Sequence, residues 1–246
     1  MEIYNMNTPN DNQITHSRIP GMEKVIKEFN RPINMLEIGT WCGQGSTQIW
    51  LNELHPGSTI TLLDSWKPYC QNDYTDEHFN YKDMDDRMTD AYIKTFNAVK
   101  SFESIRDDIK ISIIRCDSKT YLNNFAAETF DFIYIDGAHY YENVKSDIKQ
   151  AKRIIKKYGI ISGDDYEHDA SFKLDDGSLG YPLLLEVAKQ FPNNDFVSIP
   201  NTRFKIHPGV LLALHEEFDS QVLNHDGFWW VYVNDGNYTL NTPISI

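Results

Sequence analysis

Cysteine, positive charge and long apolar runs are all scarce in this chain, and each shortage removes a class of protein. Only Cys42, Cys70 and Cys116 occur among 246 residues. They stand far apart, match no zinc-ligand spacing and leave one thiol over, so a disulfide framework is excluded and a reducing cytosol is the expected home. Lys and Arg number 23 against 36 Asp and Glu, a formal net charge of −13. Such a chain repels polyphosphate backbones and anionic bilayers, which argues against nucleic acid or a membrane surface as partner. The longest apolar stretches, 210–214 and 228–233, fall far below the roughly 18 residues of a membrane span. The first twenty residues lack a basic start, an apolar run and a small-residue cleavage site, so no signal peptide is expected and the protein reads as soluble and cytoplasmic.

Apolar residues make up 41% and charged residues 24%, near the globular average, and the length suits one large domain. Residues 1–18 are polar and Asn-rich and read as an N-terminal arm, with a single domain over 19–246. Apolar periodicity predicts helices over 21–29, 46–54, 119–125, 141–157 and 182–191, and strands over 33–38, 59–63, 109–114, 130–135 and 160–162. Strands alternating with helices predict a parallel sheet covered on both faces. After a further segment at 196–199, the runs 210–214 and 228–233 read as a hairpin-like pair closing the sheet. Residues 66–104 break the rhythm between the second and third strands, first with aromatics mixed among carboxylates and then with a helix over 87–102. An insertion of that length is expected to be a lid or binding loop, a plain surface excursion being the alternative.

The segment Leu36-Glu-Ile-Gly-Thr-Trp-Cys-Gly-Gln-Gly-Ser46 places Gly39, Gly43 and Gly45 between a strand and a helix, where backbone can approach a nucleoside. The spacing is G-x-x-x-G-x-G, which differs from the dinucleotide fingerprint G-x-G-x-x-G. Asp64 ends the next strand 19 residues after Gly45, where an acid can accept hydrogen bonds from ribose hydroxyls. On these residues the sequence resembles the class I S-adenosylmethionine-dependent methyltransferases, over about residues 33–200. The resemblance implies a Rossmann-like α/β fold, with a seven-stranded, mostly parallel sheet and helices on both faces. It also implies S-adenosylmethionine bound by Glu37, Gly39, Thr40, Gly43, Gly45, Ser46, Asp64 and Ser65, with Asp117 and Ser118 bordering the adenine. The plain alternative is a tight turn with Asp64 as a cap.

Asp136 ends the fourth strand and Asp164-Asp165 the fifth. In an open parallel sheet these ends converge on the ligand side. Three carboxylates together repel unless protonated or neutralised, and a hard divalent cation, Mg²⁺ or else Mn²⁺, would remove that penalty. A polar strand-end turn is the alternative for the Asp pair. The pattern I-D-G-x-H-x-Y-x-x-V-x-x-D followed by G-D-D resembles a metal-dependent subgroup that methylates sugar hydroxyls of macrolides and related products. That resemblance implies Asp136, Asp164 and Asp165 as metal ligands, with His139 beside Asp136 as the catalytic base. Asp147 reads as structural and His168 as a weaker base candidate.

The expected activity is therefore metal-assisted O-methylation of a small molecule. A sugar hydroxyl leads, nucleotide-linked sugars of polysaccharide or natural-product synthesis being included. A phenol or catechol acceptor is the runner-up. A nicotinamide dehydrogenase and a non-catalytic nucleoside-binding protein are the rivals. A homo-oligomer would use the N-terminal arm or Phe228-Trp229-Trp230, although Trp at strand spacing also suits a core.

Overall fold

The computed structural model describes residues 16–68, 84–200 and 202–242. Helix α1 (Ile19–Ile26) leads into β1 (Asn34–Ile38), α2 (Ser46–Glu53), β2 (Thr59–Asp64), α3 (Met84–Glu103) and β3 (Lys110–Arg115). Then follow α4 (Ser118–Tyr121), β4 (Phe130–Ile135), α5 (Tyr141–Ile154), β5 (Ile155–Gly163) and α6 (Tyr181–Gln190). The described chain ends with β6 (Val197–Ser198), β7 (Lys205–Ile206), α7 (Pro208–Phe218), β8 (Leu223–His225), β9 (Phe228–Asn234) and β10 (Asn237–Thr239).

The main sheet runs β3-β2-β1-β4-β5-β9-β10, with β8 also on β9. Strands β1 to β5 pair in parallel and β9 lies antiparallel to β5. The order reverses at β1, whose neighbours are β2 and β4, so the C-terminal ends of β1 and β4 form the crevice where such sheets bind ligands.

The two-residue period of strands sorts side chains between two layers. On β9, Phe228, Trp230 and Tyr232 pack with Met22, Val25 and Ile26 of α1 and Trp50 of α2. Trp229, Val231 and Val233 face α5, α6 and α7. The Phe228-Trp229-Trp230 run is therefore core, each residue at most 6% exposed. On β4, Phe132 and Tyr134 face the α1–α2 layer while Ile133 and Ile135 face the other.

Several expectations need correction. Residues 210–214 lie in α7, buried all round between neighbouring helices, and do not form a strand. The hairpin partners of β9 are β8 and β10, joined to it through Asp226-Gly227 and Asp235-Gly236, all four residues with positive φ. Asp-Gly is the signature of the type I′ hairpin turn, whose twist matches that of the strands. Among the described residues the main sheet has seven strands in its ordered path, with β8 as an eighth on β9. Helix α5 stops at Ile154, and Lys156, Lys157 and Gly159 belong to β5. There Ile155 pairs with Phe130 of β4, and Lys156 lies 2.8 Å from buried Asp131. Residues 119–125 form one α turn and a 3-10 turn, and 196–199 join a small hairpin outside the main sheet.

Of the 66–104 insertion, residues 69–83 lie outside the described residues. Its remainder is built into the wall: Met88 and Ala91 of α3 pack on Cys42 and Trp66, while Val99 and Phe102 join the α1–α2 core. Among the described residues no helix is long and apolar enough to cross a membrane.

Candidate active site

The glycine loop is held by its neighbours' backbone. Gly39 has φ +83, and a Cβ there would stand 1.9 Å from the Asp136 carbonyl oxygen, so β1 and β4 touch main chain to main chain at the crevice. Asp64 Oδ2 accepts the N–H groups of Thr40 and Trp41, each at 2.9 Å, and Oδ1 accepts that of Trp66 at 2.7 Å. Burial raises the Asp64 pKa in spite of these three bonds. Thr40 Oγ1 and Trp41 Nε1 are buried on this loop and have no hydrogen-bond partner among the described residues, as a loop awaiting a polar ligand would leave them.

Glu37 follows Met35 on the α1–α2 face of β1 and sits behind the loop. Fully buried, it accepts the hydroxyl protons of Ser46 at 2.5 Å and Thr47 at 2.7 Å. Burial pushes its carboxyl up to about 8, the two hydroxyls opposing. Glu37 and Ser46, both expected to contact a cofactor, hydrogen-bond each other and fasten α2 to β1. Ser65 Oγ accepts the Lys67 N–H at 3.2 Å. Asp117 caps α4 through the Thr120 N–H at 3.3 Å. Burial pushes the Asp147 carboxyl up to about 7, with Ser118 opposing. Gly43 lies under Thr95 of α3, and Gly45 precedes α2 as its N-cap.

Asp136 and Asp164 fall on the α1–α2 side, and the buried Tyr134 hydroxyl stands 3.3 Å from an oxygen of each. Asp165 adopts φ +64, a conformation that turns its side chain out of the strand direction. The structure adds a cation that the sequence reading placed in a polar arm. Arg18 Nη1 lies 2.5 Å from Asp164 Oδ1 and 3.1 Å from Asp165 Oδ1. Burial alone would lower the guanidinium pKa, but Asp164 and Asp165 outweigh it and keep the group charged. Burial and the neighbouring carboxylates push Asp164 up, with Arg18 opposing. Burial would raise Asp165 too, but His207, His139 and Arg18 together hold it well below the usual carboxylate range.

His139 lies between carboxylates. Its Nδ1 is 2.8 Å from Asp195 Oδ1, and its Nε2 is 2.9 Å from Asp165 Oδ2 and 3.9 Å from Asp136 Oδ1. The His207 ring meets it at 4.6 Å. His207 Nδ1 contacts Glu167 Oε1 at 2.5 Å. Burial would lower the His207 pKa, yet Asp165 and Glu167 outweigh it and raise the group above its ordinary value. His168 stacks on Phe172 at 4.2 Å, and burial lowers its pKa; it belongs to an aromatic cluster away from these carboxylates. Arg18, Asp195 and His207 escaped sequence reasoning because each is a lone residue in an unpatterned stretch. Only His207-Pro208, a helix start, carried any local signal.

Residues 36–166, just over half of the chain, match a family described as a methyltransferase domain. The chain belongs to this methyltransferase family. Its structure is similar to an O-methyltransferase from Bacillus cereus in complex with SAH, at 15% identity and TM-score 0.52, over 93% of this chain and 85% of that one. It is also similar to TomG, an O-methyltransferase from Streptomyces achromogenes involved in tomaymycin synthesis and solved with SAM. That match has 12% identity and TM-score 0.52, over 92% of this chain and 83% of that one. No curated protein matches in sequence. The fold is thus the Rossmann-like class I methyltransferase fold, and Arg18, Asp195 and His207 of this methyltransferase lie outside the family-matched span.

Proposed function

We propose that this methyltransferase uses S-adenosylmethionine to methylate a hydroxyl oxygen of a small acceptor, with a sugar hydroxyl as the preferred class. The observation that carries the reading is His139, fixed at Nδ1 by Asp195 and turned at Nε2 toward Asp136 and Asp165, beside the glycine loop. The loop residues fit the donor: Thr40 Oγ1 and Trp41 Nε1, unpartnered among the described residues, offer polar contacts, and Asp64, Asp117 and Ser118 border the same strand ends. When bound, S-adenosylmethionine supplies a methyl group on a sulfonium, already activated for in-line displacement. The chain's own work is then to hold the acceptor in line and to take its proton, positioning being worth up to about 7–11 kcal/mol.

An alcohol holds its proton tightly, so the base matters. His139 Nε2 and Asp136 Oδ1 are 3.9 Å apart, so an acceptor hydroxyl that displaces Asp165 from Nε2 can meet both. The imidazolium formed on proton uptake is stabilised from both sides, by Asp165 and Asp195. That demand favours a sugar over a phenol, whose proton leaves more easily, and the acidic chain disfavours polyanionic acceptors.

The expected Mg²⁺ or Mn²⁺ site at Asp136, Asp164 and Asp165 fits poorly. Each oxygen of Asp164 and Asp165 already has a protein partner, and a cation bound through these carboxylates would have to displace the Arg18 guanidinium from them. His139, Asp165 and His207 place one donor atom each within 4.8 Å of one another, but that group shares Asp165 with Arg18. No step here passes through a metal.

Incubating the enzyme with S-adenosylmethionine and a panel of nucleotide sugars and phenols, with product masses read by mass spectrometry, tests the reading. A methylated sugar supports it. Tight NAD binding, or cofactor binding with no transfer to any hydroxyl, would overturn it.

A further inference from the structure

We propose that Arg18 is the resident cation of this pocket, a guanidinium from outside the family-matched span that does for Asp164 and Asp165 what a divalent ion would otherwise do. The inference rests on reading this pocket as the transfer site. Paired strand-end carboxylates close together need a counter-charge, and a buried pair needs it most. Arg18 supplies it within hydrogen-bond distance of both, at 2.5 Å and 3.1 Å.

The seat is built for a guanidinium. Arg18 Nε donates to the Asp226 carbonyl at 2.9 Å, in the turn between β8 and β9. The next residue, Gly227, leaves room for it: a Cβ there would stand 2.8 Å from both Nε and Nη2. Helix α1 begins at the following residue, Ile19, and its Met22, Val25 and Ile26 are buried against the same layer as Phe228 and Trp230. Arg18 is therefore anchored from behind by α1 and from the side by the turn, and only 11% of its side chain is exposed. A planar fork with several donors can bridge two carboxylates, which a hydrated lysine ammonium does less well.

The consequence for the chemistry is that Asp165 is held between Arg18 Nη1 and His139 Nε2, at 3.1 Å and 2.9 Å. Arg18 touches neither imidazole in this arrangement; it acts through Asp165 as a positioning residue.

Mn²⁺ is the probe. Chelator-treated wild-type chain is titrated with Mn²⁺ while the free-ion signal is followed by electron paramagnetic resonance, and Arg18→Gln is titrated in parallel. The wild type is expected to take up no stoichiometric Mn²⁺, and Arg18→Gln, with its carboxylate pair uncovered, is expected to bind Mn²⁺ at least tenfold more tightly. Uptake of one Mn²⁺ per wild-type chain would overturn the proposal, as would a variant titration indistinguishable from that of the wild type. Should Arg18→Gln fail to fold, the wild-type titration alone decides. Titrating the wild type with S-adenosylhomocysteine by calorimetry keeps the two readings apart. Failure to bind it removes the transfer reading, while the Mn²⁺ result still judges Arg18.

Discussion

Asp195 Oδ1 lies 2.8 Å from His139 Nδ1, although 56 residues separate them in sequence and Asp195 stands beyond the family-matched segment. A buried carboxylate on Nδ1 fixes the ring's orientation, and Nε2 must exchange Asp165 Oδ2 for the acceptor hydroxyl before it can take a proton. Asp195→Asn keeps the shape and loses the charge. The expected outcome is a fall in kcat of about 10²-fold to 10⁴-fold, the usual range for general-base assistance. The acceptor KM and the affinity for S-adenosylhomocysteine should stay close to wild type. Steady-state kinetics with calorimetry checks this, and an equal loss of cofactor binding would assign Asp195 a folding role instead.

The buried Glu37 gives stability a pH dependence. Its carboxyl titrates near 4.5 when free and at about 8 in the folded chain, chiefly through burial. The folded state therefore holds a proton that the unfolded state releases, so stability is greatest below the unfolded value and drains as pH rises through the folded one. The thermal midpoint of the wild type should fall between about pH 5 and about pH 8, by an equivalent of a few kcal/mol at most. Asp147, pushed up to about 7, and His207, also raised, act in the same direction. Glu37→Gln can still meet Ser46 and Thr47 but has no proton to lose. Melting curves across that pH range should be visibly flatter for the variant; identical slopes would show that Glu37 is ionised in the fold.

The parallel half of the fold was legible because its signals are local. Leu36 and Ile38 alternate with Met35 and Glu37 on β1, the glycines sit at the strand–helix junction, and acids end β2, β4 and β5. The C-terminal part was read less well. The run 210–214 is apolar on every side because α7 is buried on every side, and such a run has no period to distinguish helix from strand. The two Asp-Gly turns flanking β9 were visible signals that went unweighted. At the site, Asp136, Asp164, Asp165 and His139 could be placed together from topology alone. Arg18, Asp195 and His207 could not, because long-range pairing of single charged residues leaves no trace in spacing. The metal expectation was drawn from carboxylate repulsion and a family resemblance, and neither could show the Arg18 guanidinium that lies against Asp164 and Asp165.

Asp64 ties the glycine loop to β2 through three backbone N–H groups. Asp64→Ala strands these donors, and a buried donor left without a partner costs about 1–3 kcal/mol. The variant should melt lower than wild type and bind S-adenosylhomocysteine at least ~10-fold more weakly, that factor being worth ~1.4 kcal/mol. Calorimetry and thermal melts give both numbers. An unchanged affinity would mean that the loop holds its shape without Asp64 and that the carboxylate has no part in cofactor binding.

Two hairpin glycines offer an internal control for the seat of Arg18. Gly227 (φ +104) and Gly236 (φ +85) occupy the same position of two Asp-Gly turns on β9. An alanine at either pays for a left-handed conformation, of order 1–3 kcal/mol. Only at Gly227 does the added Cβ meet anything, the Arg18 guanidinium at 2.8 Å, whereas at Gly236 nothing lies within 4 Å. Gly227→Ala should therefore destabilise the chain more than Gly236→Ala in urea unfolding, and the excess should vanish when both are made in an Arg18→Ala background. If the two alanines cost the same in the wild type, the turn does not hold Arg18 in place, and the guanidinium must be kept against Asp164 and Asp165 by charge alone.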